Sequence, residues 1–184
     1  MTAILGGLAV GAVVWTFLEY TLHRFAFHQK WLGNRVARDH LKHHAKVDWF
    51  APLRVKATMA VVVLTPIVVA VSLVGGDLAA AIPVGIVGGW LFYEVVHRRI
   101  HVSAPVGAYG RWARRHHLAH HFGHSTKNHG VTSPIWDHAF GTYVPIAEVT
   151  VPRLHAKKFP WLLEDVAAER PSIASAWTAE YRIV

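Results

Sequence analysis

The chain has 184 residues, of which 53% are hydrophobic and 16% are charged, with 15 histidines and no cysteine. The length predicts a single domain over residues 1–184, and the missing cysteine excludes disulfide scaffolds, cysteine-ligated zinc, iron–sulfur clusters and thiolate-ligated haem. The formal net charge of +8 does not indicate nucleic-acid binding, because all 19 Lys and Arg lie in residues 24–56 and 98–184 and leave long stretches with no basic residue.

Three apolar runs follow one another along the chain. The first covers residues 3–22 and is interrupted only by Glu19 near its end. A helix of that length is about 30 Å long, like the hydrocarbon core of a bilayer, and the run has no basic segment before it, so a retained span is predicted rather than a signal peptide. Two further runs, residues 57–74 and 78–96, flank the turn at residues 75–77 and predict a helical hairpin. A buried hairpin of a soluble protein is the alternative, but runs of about 18 or more apolar residues favour membrane spans.

Three spans place the polar segments, residues 23–56 and 97–184, on the same side of the membrane. Because these segments carry all the basic residues, the positive-inside rule predicts that this side is cytoplasmic and that the protein lies in the inner membrane of the cell. The predicted fold class is an all-α integral membrane protein with about three transmembrane helices and a cytoplasmic helical cap.

The cytoplasmic segments contain their own helix signals. Asn34 is predicted to cap a helix over residues 35–46, and a second helix is predicted from near Tyr109 to a stop at Gly123. Residues 145–184 are interpreted as a polar tail with short aromatic anchors.

The histidines are the main chemical signal, because all 15 fall on the predicted cytoplasmic side or at the cytoplasmic end of a span. Ten of them occur in the order pair, triplet, pair, triplet, with spacings that a helix can turn into a ligand face: His23 and His28; His40, His43 and His44; His97 and His101; His117, His120 and His121. The members of the first pair lie about 140° apart on an ideal helix, so the helix is expected to end or bend between them. Imidazole is the commonest protein metal ligand, and two pair-plus-triplet sets predict two metal ions.

The ligand type does not choose the metal, since imidazole suits iron, zinc, copper and nickel. The HExxH pattern of zinc hydrolases is absent, and residues 94–97 supply only one of the two Glu-x-x-His motifs that bundle di-iron carboxylate proteins require. Six residues are predicted to support the ligands by orienting an imidazole or, for two of the histidines, by adding one: Glu19, Glu94, His116, His124, His129 and Asp137. His155 is predicted to be a surface residue.

The run from Glu19 to His28, followed by HLKHH, HRRIH and HLAHH, resembles the fatty acid hydroxylase/sterol desaturase superfamily of integral-membrane non-haem di-iron proteins. Residues 128–142 are similar to the segment that follows the last histidine triplet in its fatty acid hydroxylase branch. The resemblance covers roughly residues 15–145 and implies that the ten histidines bind two iron ions, with zinc possible in isolated protein. The family commonly has two helical hairpins, one helix more than the apolar runs predict here.

The resemblance implies O₂-dependent hydroxylation of a C–H bond in a membrane lipid, most simply a fatty acyl chain or a sterol-like molecule. A carotenoid hydroxylase is the alternative within the same chemistry, and a non-catalytic membrane metal-binding or transport protein is the alternative outside it. The chain has no GxGxxG, flavin or haem signature, so a separate ferredoxin- or cytochrome-type partner is expected to supply electrons. Arg111, Arg114 and Arg115 are candidates for docking an acidic donor, although anionic lipid headgroups explain the same charges.

Overall fold

Helices form most of the computed structural model, which describes residues 1–169 and 172–184. The elements in chain order are α1 (Thr2–Thr21), a π-helical segment (Leu22–His28), α2 (Asn34–Ala45), α3 (Leu53–Ser72), α4 (Gly76–Val102), α5 (Gly107–Phe122), α6 (Ile135–Ala139), β1 (Val149–Val151), α7 (Arg153–Ala156), two 3₁₀ turns (Pro160–Leu162 and Ser175–Trp177) and β2 (Tyr181–Ile183).

Three of these helical stretches are long and apolar enough to cross a membrane by length and composition: Thr2–His28, Leu53–Val74 and Gly76–Val102. The prediction of three spans is therefore confirmed, although all three helical stretches are longer than the apolar runs. Helix α4 has 27 residues, so it is about 40 Å long and exceeds the roughly 30 Å of a hydrocarbon core. Its last turns extend the same rigid helix beyond the apolar run and carry His97 and His101.

Glycines bring α1 and α4 into close contact. A Cβ atom added at Gly11 would overlap the α4 backbone at Ile82, and one added at Gly85 would overlap the α1 backbone at Leu8. Small residues at such a crossing let two membrane helices approach and gain packing contacts. By contrast, α3 has no buried residue and lies at the outside of the bundle.

Substitution at this crossing gives a stability prediction. Gly85→Ala is expected to destabilise the protein by about 1–3 kcal/mol, because the new methyl group must push α1 away. Gly88→Ala is the matched control on the same helix, since a Cβ there meets nothing within 4 Å. That variant is expected to be neutral or more stable by up to about 1 kcal/mol, through helix propensity. Unfolding free energies in detergent measure both, and equal values would contradict the tight crossing.

The C-terminal region packs onto the helical cap instead of forming a polar tail. Strands β1 and β2 pair in parallel, with Val149 opposite Tyr181. Several of its side chains are fully or almost fully buried against Ile100 and Leu118: Val149, Val151, Phe159, Leu162 and Tyr181. The polar-tail interpretation is therefore wrong. The apolar residues of this region come in short groups that proline and charged residues interrupt, so no single period reveals them.

The helix ends in the cap follow local backbone rules. Helix α5 stops at Gly123, as predicted. Helix α2 begins one residue earlier than predicted, at Asn34, and its N-cap is Gly33, whose φ of 86° favours glycine. The assignment of Asn34 as N-cap is thus off by one position.

Candidate metal centre

Ten histidines converge in two groups of five, and within each group one nitrogen from every ring lies within 4.8 Å of the others. We call them cluster A and cluster B. Cluster A contains His23, His28, His40, His44 and His120, and cluster B contains His43, His97, His101, His117 and His121. They are the same ten residues that the spacing singled out.

The membership of the clusters differs from the order in the sequence. Each triplet gives its first and third histidine to one cluster and its middle histidine to the other, so His43 joins cluster B and His120 joins cluster A. Helix geometry explains the division, because residues i and i+4 lie only about 40° apart while i+3 lies about 100° from i+4. Helices α2 and α5 face each other across the centre, where the rings of His44 and His121 stack with centroids 4.0 Å apart.

A change of helix type aligns the first pair. The α-helix ends at Thr21, before His23, and the chain continues as the π-helical segment, in which the backbone N–H of Gln29 donates to the carbonyl of Arg24. The wider i to i+5 turn reduces the angle between residues five apart below the value of about 140° in an α-helix. The two rings consequently lie with centroids 5.1 Å apart.

Backbone carbonyls fix the protonation of at least three of the rings. The Nδ1–H of His23 donates to the carbonyl of His129 at 2.5 Å, that of His43 to Trp49 at 2.7 Å and that of His120 to Lys127 at 2.6 Å. A carbonyl only accepts, so Nδ1 carries the proton and Nε2 presents a bare lone pair to the cluster. Among the described residues, the buried Nε2 of His23 has no hydrogen-bond partner.

The distances between ring nitrogens fit metal ligation. In cluster A, the Nε2 atoms of rings in contact are 2.9–3.0 Å apart. In cluster B, the corresponding distances are 3.0–3.2 Å. Two nitrogens each about 2.1 Å from a common ion and at right angles to each other would be about 3.0 Å apart. Lone pairs converging at this spacing repel one another unless a cation lies between them. The donor set thus suggests a metal site.

The rings outside the spans are neutral at physiological pH, as ligation requires. Burial lowers the pKa of His43 to about 4 and that of His44 to about 3. For the four others outside the spans, burial and the neighbouring imidazoles lower the pKa well below the usual range: His40, His117, His120 and His121.

A buried loop beside cluster A is held by two carboxylates. Asp137 accepts hydrogen bonds from the backbone N–H groups of His129 and Gly130, both at 2.8 Å, and from the hydroxyl of Thr142 at 2.7 Å. Glu19 accepts from the next two backbone N–H groups, at Val131 and Thr132. Both acids therefore position the loop whose carbonyl, at His129, fixes the His23 ring.

The structure gives several of the predicted supporting residues partners other than a cluster imidazole. Glu19 orients the loop and no imidazole of either cluster, and Glu94 pairs with Lys56 and accepts from the indole of Trp90 at 3.2 Å. Carboxylates at the end of a span satisfy the nearest donors, which here belong to backbone, lysine and indole. His116 lies 3.3 Å from Asp137, so it supports that carboxylate instead of a ligand.

The remaining predicted residues lie at different distances from the clusters. His129 is buried beside cluster A, with its ring centroid 5.2 Å from that of His120, but it lies outside the group of five. His124 is exposed and belongs to neither cluster. His155 packs against Phe122 at the edge of the cap. Arg114 is buried and donates to backbone carbonyls at the end of α4, including that of Ser103, so it is not available for docking a partner.

Sequence reasoning missed the carbonyls that fix the rings and the loop that presents them. The one local sign of this loop in the sequence is Asn128. It adopts φ of 56°, and its side-chain amide pairs with the backbone N–H and carbonyl of Val144. Asparagine tolerates this left-handed conformation better than most residues, which indicates a structured turn.

Asp137→Asn should loosen this loop. An amide in place of the carboxylate turns one acceptor into a donor that faces a backbone N–H, which costs about 1–3 kcal/mol of stability and weakens metal retention in cluster A.

Burial raises the pKa of Asp137, but hydrogen bonds from His116, Thr142 and the loop outweigh it and hold the pKa below its usual range. The stabilisation is therefore complete at neutral pH and is lost only as the pH falls through that lowered value. Thermal unfolding against pH measures this, with exposed Asp165→Asn as the control; equal effects would refute the assignment.

A cavity of about 170 Å³ leads from the membrane helices to the clusters. Its wall includes imidazoles of both clusters, His23, His40, His43 and His97. The rest of the wall is mostly apolar and comes mainly from α1, α3 and α4, with smaller contributions from the π-helical segment, α2 and the loop that follows α2; Trp15, Met59, Val63, Leu64 and Ile86 are among its residues.

The chain is similar in sequence to a known protein family and to several of its members. A family model described as fatty acid hydroxylase matches residues 8–142, which include both clusters, the loop and the cavity. The dihydroceramide fatty acyl 2-hydroxylase FAH2 of Arabidopsis thaliana is 34% identical over 140 residues, which are 73% of this chain and 59% of that protein. The human fatty acid 2-hydroxylase is 30% identical over 152 residues, 76% of this chain and 40% of that protein.

A solved structure is also similar. Full-length Scs7p, with only its hydroxylase domain visible, superposes with a TM-score of 0.62 at 28% identity and covers 78% of this chain and 57% of that one. The chain therefore spans about three fifths or less of the proteins it matches.

Proposed function

Because the chain belongs to the fatty acid hydroxylase family, we propose that it hydroxylates a fatty acyl chain of a membrane lipid at carbon 2, with O₂ and two iron ions held by clusters A and B. The observation that carries this proposal is the mostly apolar cavity whose wall includes imidazoles of both clusters. Two relatives, a dihydroceramide fatty acyl 2-hydroxylase and a fatty acid 2-hydroxylase, support the substrate class and the position by what they act on.

The ten histidines would hold the metal, five to each ion. When bound, two irons with O₂ supply an oxidant strong enough to remove hydrogen from an unactivated C–H bond. The chain itself keeps the Nε2 lone pairs of His23, His43 and His120 directed inward through their carbonyl-bound Nδ1–H groups. Such outer hydrogen bonds fix the ring orientation and increase ligand basicity.

The cavity would bind the acyl chain and exclude water. Its lining on α3 runs from Val55 to Leu64, ten residues with a rise of about 14 Å, so several methylene groups fit along the wall. Because imidazoles of both clusters form part of this wall, an acyl chain bound along the apolar part would present one of its carbons to them in a fixed position. The named relatives act on acyl chains, so a carotenoid substrate is not favoured.

Lipid mass spectrometry of cells with and without the gene tests this function. The expected product is an acyl lipid heavier by one oxygen atom, with the hydroxyl group on carbon 2. A strain that expresses the His120→Ala variant should lack it and serves as the inactive control. Oxygenated carotenoids in place of acyl products, or no oxygenated lipid at all, would overturn the proposal.

The location and the electron donor are also proposed. The protein would lie in the cell inner membrane with its histidine clusters on the cytoplasmic side, since all 19 Lys and Arg lie in residues 24–56 and 98–184. Electrons would come from a separate ferredoxin- or cytochrome-type protein. Arg111 and Arg115 are less suited to dock it than predicted, because both face Glu180.

Reporter fusions test this topology. A reporter placed after Gly76 is expected outside the cytoplasm and one placed after Val184 inside it, because the span Gly76–Val102 separates the two points. Activity of an enzyme that works on only one side of the membrane measures each fusion. Reporters on the same side would contradict the arrangement of three spans.

A further inference from the structure

An ion pair lies in the wall of the cavity close to cluster B. Lys56 is in the first turn of α3, and Glu94 is on α4, one turn before the ligand candidate His97. The Lys56 ammonium pairs with one carboxylate oxygen of Glu94, and the indole N–H of Trp90 donates to the other at 3.2 Å. All three side chains line the cavity together with His43 and His97.

The ammonium of Lys56 keeps free donors toward the cavity. Among the described residues its only hydrogen-bond partner is Glu94, whereas a lysine ammonium carries three N–H donors. Its side chain remains 23% exposed. A cation beside a mostly apolar cavity wall is costly unless its donors are satisfied, so an acceptor on a bound ligand would complete its surroundings.

No other residue of the described cavity wall offers a lysine or arginine donor. Lys56 is the one lysine or arginine among the lining residues. Glu19, also in the wall, is bound to the loop at residues 131–132, and Asp39 is an acceptor. A ligand oxygen that needs a charged donor would therefore find it at Lys56.

We propose that Lys56 binds the acyl carbonyl or carboxylate oxygen of the substrate and thereby sets the position of hydroxylation, with Glu94 holding the lysine in place. This inference rests on the proposed acyl hydroxylation. When carbon 2 faces the clusters, the carbonyl group, one bond away, must also lie near the imidazoles, and Lys56 is held there by Glu94, one helical turn from His97. The apolar wall along α3 would then hold the remainder of the chain.

A purely structural role is the rival explanation. Helix α3 has no buried residue, and on this explanation the Lys56–Glu94 pair serves only to fasten it to α4. The two roles differ in what substitution does to ligand selectivity, because a fastening pair affects all ligands of the cavity alike.

Binding measurements separate these roles without depending on turnover. The probes are a long-chain fatty acid, its primary amide and the alkane of the same length, each displacing a fluorescent alkyl probe from the zinc-loaded full chain in detergent. Lys56→Met is expected to weaken acid or amide binding about tenfold or more and alkane binding less than about twofold. Arg54→Met removes an exposed charge from the same turn and should change none of them. A larger loss for the acid than for the amide assigns a free carboxylate, and an equal loss assigns an amide-linked acyl group.

Equal weakening of acid and alkane by Lys56→Met, or the same effect from Arg54→Met, would overturn the inference. The double variant Lys56→Glu with Glu94→Lys tests the fastening role, since it keeps an ion pair between α3 and α4. The double variant should restore thermal stability, but its product should carry the hydroxyl group at carbons beyond carbon 2 as well. Full recovery of the wild-type product would also overturn the inference. If the wild-type chain forms no hydroxylated acyl lipid, the proposed function fails, while the binding comparison still reports on Lys56.

Discussion

Replacing His120 by alanine is expected to abolish hydroxylation and remove about one metal ion per chain, whereas His155→Ala should leave activity within about twofold of wild type. His120 is fully buried in cluster A, its Nε2 lies 2.9 Å from that of His28, and its Nδ1–H is held by the carbonyl of Lys127. His155 only packs against Phe122 at the edge of the cap. Elemental analysis and turnover of the purified variants provide the measurement.

Double variants sharpen this test, because the structure and the sequence order group the histidines differently. His120 and His28 share cluster A although they are 92 residues apart, while His120 and its neighbour His121 belong to different clusters. The His28→Ala, His120→Ala pair should therefore lose about the same one ion as His120→Ala alone, and the His120→Ala, His121→Ala pair should lose both. The reverse pattern would show that each triplet serves a single ion.

The ten histidines were predictable from sequence because helix periodicity places i, i+3 and i+4 on one face. Their division between the clusters was not, since it depends on how α2 and α5 face each other at His44 and His121. The π-helical segment was hidden for a similar reason. The spacing of His23 and His28 required some departure from an ideal helix, but it did not specify which departure the chain adopts.

The partners of the predicted acids illustrate a second limit of the sequence. Glu19 and Glu94 are polar residues in apolar helices, which indicates that each has a partner but not which one. Glu19 meets backbone groups more than 100 residues away in the chain, and Glu94 meets Lys56 on the neighbouring helix. The buried C-terminal groups, including Phe159 and Tyr181, are long-range contacts of the same kind, without a local period.

The iron-loaded protein is expected to contain about two metal ions per chain, and exchange of iron for zinc is expected to remove activity. Two groups of five nitrogens exceed what one ion can use, and a structural zinc needs only about four ligands. Zinc binds nitrogen ligands at least as strongly as ferrous iron, so both metals should fill the clusters and raise the thermal unfolding temperature similarly. Only iron can change its oxidation state, so activity should follow the iron content while stability follows the total metal content. One ion or fewer per chain with activity retained would refute the two-ion assignment, and full activity with zinc alone would show that the reaction does not depend on a redox metal.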